Sequence, residues 1–173
     1  MLGRMAYLSL AGVVLALWAL MTQVVGPELA AAAGGQTSFD ARFGGYDLTA
    51  AQAYVDRLTP TGRDLYLEAL HRLDGLFIPA LALFLVWSFA VLLPRWLALA
   101  MALVVIAGAV ADLTENIRVA TLLTAGELTE AMVTAASDAT RIKAVLDGFA
   151  LLVFGGAVLL AGYRRFRQGK VRP

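Results

Sequence analysis

Asp112, Glu115 and Asn116 stand at spacings i, i+3 and i+4, which put them on one face of a helix, at the end of an apolar run. Arg118 follows two residues after Asn116. A second polar series, Thr140, Arg141, Lys143 and Asp147, opens another apolar run, and Thr140, Lys143 and Asp147 share a face at i, i+3 and i+7. His71 and Asp74, at i and i+3, lead into a third. Two carboxylates on one helix face, desolvated beside one another, are the group types that perform acid–base chemistry. Asp112 and Glu115 are therefore the candidate general acid or base. The competing reading is a lock of ion pairs. Asp74, Asp112, Glu115 and Asp147 against Arg118, Arg141 and Lys143 is four acids to three bases, with His71 neutral. That near-balance favours a structural network, in which Lys143 pairs with Glu115 across helices and with Asp147 one turn away. A third reading is a pocket for a small polar ligand, ion or lipid headgroup.

What must position these groups is a set of membrane helices. The chain has 173 residues, 60% hydrophobic and only 16% charged, against about 45–50% and about 25% in a soluble domain. The excess lies in four blocks, each near the ~20 residues that cross a bilayer. The expected fold is one all-α membrane domain over 1–173: an antiparallel bundle of four transmembrane helices at about 5–25, 75–93, 96–123 and 140–163. The first block is longer than the ~7–15-residue core of a signal peptide, so a retained helix is favoured, although Ala30 to Ala33 offer small residues for cleavage. Arg4, Arg95 and the tail Arg164, Arg165, Arg167, Lys170 and Arg172 fall on one side of the four spans, and nearly all acids on the other. By the positive-inside rule both termini are cytoplasmic, with 26–74 and 124–139 outside.

Depth brings the two polar series together. At ~1.5 Å per residue, Asp112 lies about 24 Å along its span from Trp96, roughly 6 Å short of the outer edge of a ~30 Å hydrocarbon layer. Asp147 lies about 5 Å inside that edge on the next span by the same rise, and Lys143 is level with Glu115. The outer loop 26–74 is too long to be structureless. Ala30 to Gly35 reads as a flexible lead-in, and Thr49-Ala50-Ala51-Gln52 as a capping box opening a short helix that ends near Leu58. Thr59-Pro60 opens another that runs into the second span, where Pro79 predicts a kink. These short amphipathic helices cap the bundle, and Asp40, Arg42 and Tyr46, in the 39–46 segment, roof the polar pocket.

No cysteine is present, which excludes disulfides, thiolate nucleophiles and thiol–disulfide relay chemistry. No metal site is assigned, because His71, Asp74, Asp112 and Glu115 match no ligand spacing, and no cofactor is expected. Expected partners are membrane lipids and a partner subunit or second copy. The short basic tail suits anionic lipid rather than nucleic acid.

Phe39-Asp40-x-Arg42 with Gly45-Tyr46, Leu65-Tyr66-Leu67, Asp74, Asp112-x-x-Glu115-Asn116 and Thr140-x-x-Lys143 together resemble a family of small bacterial four-helix membrane proteins. The resemblance covers most of the chain. It implies a bacterial inner-membrane location and ties the outer loop to the polar cluster, and it supplies no reaction. The expectation is an accessory or small-ligand-binding membrane protein; the alternative is a membrane enzyme acting on a lipid-soluble substrate.

Overall fold

The computed structural model describes residues 2–170, with side chains through Gln168; the side chains of Lys170 and Arg172 in the basic tail lie outside the described residues. Helices α1 (Leu2–Leu20), α2 (Gly26–Ala32), α3 (Leu48–Arg57), α4 (Pro60–Asp64), α5 (His71–Leu92), α6 (Arg95–Thr124) and α7 (Glu130–Lys170) follow in order. The described residues contain no strand. Four continuous helical stretches, Leu2–Ala32, Pro60–Leu92, Arg95–Thr124 and Glu130–Gln168, are long and apolar enough to cross a membrane.

Two of these stretches are joined by π turns. Between α1 and α2 the turn Met21–Val25 ends with the Gly26 amide donating to the Met21 carbonyl. Pro27 just beyond has no N–H to offer, and the wider turn carries the helix past it. The helix therefore does not stop at Gly26-Pro27. It continues through Ala32, so Ala30 to Gly35 is not a flexible lead-in: Leu29 and Ala33 are fully buried, and only Gly34 and Gly35 turn the chain, both at positive φ. A second π turn, Leu65–Leu70, joins α4 to α5, and α5 runs unbroken through Pro79.

Two other boundaries differ from expectation. The residue that caps α3 is Asp47, whose carboxylate accepts from the Ala50 amide at 2.8 Å; Thr49 is already inside the helix. Asp competes well for this position because a charged acceptor also suits the helix N-terminus. Thr59 does cap α4, accepting from the Gly62 amide at 3.1 Å. Residues 130–139 are the first turns of α7 rather than loop. The Thr129 hydroxyl accepts from the Met132 amide and Glu130 sits in the first turn, so the helix starts there, ahead of the apolar run.

Burial divides the bundle into two apolar cores. The larger one gathers Leu29, Phe39, Tyr46, Tyr54 and Tyr66 from the cap formed by residues 26–70 with Val119, Leu122 and Leu123 of α6 and Val133 of α7. The smaller one joins Leu85, Phe89, Met101, Val105 and Ala150. Between them, in sequence along α6, come Asp112 and Glu115. The outward faces of the long helices are apolar and exposed, as at Leu83, Leu103, Val145 and Leu152.

Candidate functional site: a buried polar layer under a helical cap

The layer is built on Lys143. Its Nζ lies 2.6 Å from Glu115 Oε2, a hydrogen-bonded ion pair, and 2.7 Å from Asp112 Oδ1. The second contact is a charge pairing whose angles fall outside hydrogen-bond geometry, since Asp112 Oδ1 is otherwise a buried acceptor without a donor. Glu115 is fully buried, and its other oxygen accepts from the Thr140 hydroxyl at 2.5 Å. Asn116 turns toward α5 and donates to Asp74 at 2.7 Å. Three helices, α5, α6 and α7, are thus joined through side chains that a purely apolar bundle would lack.

Asp147 stands apart from Lys143. It makes no ion pair among the described residues, and its carboxylate lies against Gly108, close enough that a Cβ there would collide with it. Gly108 is what lets α7 bring this acid against the α6 backbone. Asp147 and Asp112 border a small void together with Ile78, Leu81, Leu85 and Val105, and the space for water in it is about 10 Å³.

The cap closes the layer from the other side. Tyr66, fully buried, donates to Asp40 Oδ1 at 2.5 Å, and its ring meets that of His71 edge-on at 5.3 Å. His71 Nε2 is buried with no partner. The Arg141 Nε donates to the Gly44 carbonyl at 2.9 Å, and the Tyr46 amide donates to Ser137 at 2.8 Å. Arg42 does not reach the polar layer. It donates to the Thr37 carbonyl and to Gln36 and lies over the rings of Phe39 and Tyr54. Burial pushes the Tyr46 hydroxyl up to about 12 and raises Tyr54 as well, so both rings stay protonated and neutral at physiological pH.

The structure therefore brings together Asp74, Asp112, Glu115, Asn116, Thr140 and Lys143, sets Asp147 beside them, and seats Asp40, Tyr46 and His71 in the lid. It does not bring Arg118 or Arg141. Arg118 is exposed and borders a separate groove rather than the layer, and Arg141 is half-exposed beside Asp138 at 3.8 Å. Long cations reach outward to water more cheaply than inward. The near-balance of charge counted along the chain is accordingly lost in space: the buried layer has a surplus of carboxyls over its single lysine. No group of three or more His, Asp or Glu suited to a metal ion is assembled among the described residues. Sequence reasoning passed over Gly108, Ser137 and the hydrogen bond of Tyr66. Ser137 had a signal, since it precedes Thr140 by three residues on the same α7 face.

A separate, larger groove lies on the other side of the α6–α7 pair, with a volume of about 1070 Å³. Val110, Ala111, Arg118, Ala135, Asp138 and Ile142 line it.

No protein-family model, curated protein or solved structure matches the chain.

Proposed function

We propose that the protein is a non-enzymatic four-helix membrane protein that binds lipid or a small ligand on its flank, and that its buried polar layer is a lock holding the outer cap to the bundle. The helices run antiparallel across a bacterial inner membrane, both termini cytoplasmic. The observation that carries the lock is closure. Glu115 is fully buried, and the void beside Asp112 and Asp147 offers about 10 Å³, room for about one water. A pocket for an organic substrate runs to ~300–1,000 Å³. The surplus of carboxyls would suit an acid–base enzyme if a substrate could reach it, and the void beside Asp112 and Asp147 is too small to hold one. The membrane placement is supported by the apolar, exposed flanks of all four long helices and by a side that carries Arg4, Arg95 and the basic tail with no acid beside them.

Because the chain has no cysteine, single-cysteine labelling tests the placement without background. Glu127→Cys should react with a membrane-impermeant maleimide in intact spheroplasts, and Arg165→Cys only after lysis. The reverse pattern, or recovery of the chain in the soluble fraction, would contradict it. For the lock, Asp112→Asn should lower the melting temperature in detergent while leaving the co-purifying lipid unchanged. Loss of that lipid without loss of stability would mean that the layer is itself the binding site.

A further inference from the structure

We propose that the groove between α6 and α7 seats one aminophospholipid, its phosphate on Arg118 and its primary ammonium on Asp138. The inference rests on the membrane placement above and names the ligand that the flank would take.

The groove changes character along its length. Val110, Ala111 and Ile142 make an apolar lower part, and Arg118 and Asp138 stand at the upper part on opposite walls. Arg118 makes no hydrogen bond or ion pair among the described residues, and a guanidinium fork matches phosphate oxygens. Asp138 has only a long, half-exposed contact with Arg141, a kind of pair that contributes little, while Arg141 Nε is committed to the Gly44 carbonyl. Heights agree with a lipid. If Glu115 and Lys143 mark the edge of the hydrocarbon, Arg118 lies about 4.5 Å and Asp138 about 7.5 Å beyond it at ~1.5 Å per residue. The headgroup layer is roughly 5–7 Å thick on each side. Arg118 and Asp138 therefore flank the groove at headgroup height, with apolar wall beneath them; Glu130, which also lines the groove, lies about 19.5 Å beyond the same edge by that rise, clear of the headgroups.

That pattern complements a zwitterion. A purely anionic headgroup would satisfy Arg118 and leave Asp138 facing like charge. A choline headgroup carries the right charges, but its quaternary nitrogen has no N–H to donate to a carboxylate, whereas a primary ammonium has three. The groove volume, about 1070 Å³, is slightly above the ~300–1,000 Å³ of small-molecule pockets, as suits a ligand with acyl chains.

The test is native mass spectrometry of the full chain in mild detergent. It is titrated in separate samples with phosphatidylethanolamine, phosphatidylcholine and phosphatidylglycerol of matched acyl chains. One phosphatidylethanolamine should be retained about tenfold more tightly than either of the others, the worth of one charge-assisted hydrogen bond. Asp138→Asn should abolish that preference, and Arg118→Gln should weaken all three lipids, with melting temperatures unchanged. Equal retention of the three lipids, or variants without effect, would overturn the proposal. So would a dimer that carries no lipid, since a second copy would then fill the groove. Cysteine labelling keeps the two claims apart: a correct labelling pattern with no lipid preference defeats only the aminophospholipid, whereas a failed pattern defeats the membrane placement on which it rests.

Discussion

The ammonium of Lys143 lies between two carboxylates on neighbouring turns of α6, 2.6 Å from Glu115 and 2.7 Å from Asp112. One cation thereby holds two acids, and the same helix turn reaches α5 through Asn116 and Asp74. Replacing a whole buried pair with apolar groups is often harmless, but removing one partner strands a charge and costs about 3–5 kcal/mol. The layer specifies which helices meet and at what height, and its partners are mutually dependent.

The cap of α3 separates two neighbouring residues. Asp47→Ala should destabilise the protein by about 0.5–2 kcal/mol, the usual cost of losing a capping side chain. Thr49→Ala, an exposed position within the helix, should stay within about 0.5 kcal/mol of wild type. Thermal denaturation of both variants in the same detergent decides it; equal effects would mean that Asp47 does not cap α3.

Gly45 joins the cap to α7. Its φ is 83°, and a Cβ would run into Arg141 and Ser137, the two α7 residues that hold the loop. Gly45→Ala should cost about 1–3 kcal/mol through strain at a left-handed position. The loss should show first as faster proteolysis within 34–47. Uniform protection of that segment would contradict the attachment.

Gly108 and Asp147 make a reciprocal pair. Gly108→Ala should destabilise by about 1–3 kcal/mol, as overpacking does, because the new methyl meets the Asp147 carboxylate. Asp147→Ala in the same chain should recover most of that loss. A double variant no better than Gly108→Ala alone would place the clash elsewhere.

Much of this arrangement was legible in the residues, and the failures have physical causes. The spans were readable because long apolar runs have few alternatives, and the start of α4 because Thr59-Pro60 is a strong local signal. The alanines at 30–33 read as linker since small residues carry little burial signal by themselves, yet Ala33 is packed without exposure. The opening of α7 was missed because Glu130, Thr134, Ser137 and Asp138 interrupt a run of small and apolar residues, although Thr129 and Glu130 had the cap chemistry in view. Arg118 and Arg141 were credited to the polar cluster from proximity in the chain. Arg118, two residues from Asn116, and Arg141, one from Thr140 and two from Lys143, stand at spacings that do not face one another on a helix, and both side chains leave toward water instead.

The most direct test of the lock is a double-mutant cycle on Glu115 and Lys143, measured as unfolding free energy in mild detergent. Glu115→Gln and Lys143→Met should each destabilise by about 3–5 kcal/mol. The double variant should fall well short of the sum, with a coupling of about 0.5–3 kcal/mol as for residues in one network. Strictly additive losses, or a Lys143→Met variant as stable as wild type, would contradict the account, because the ammonium would then not be what binds these helices together.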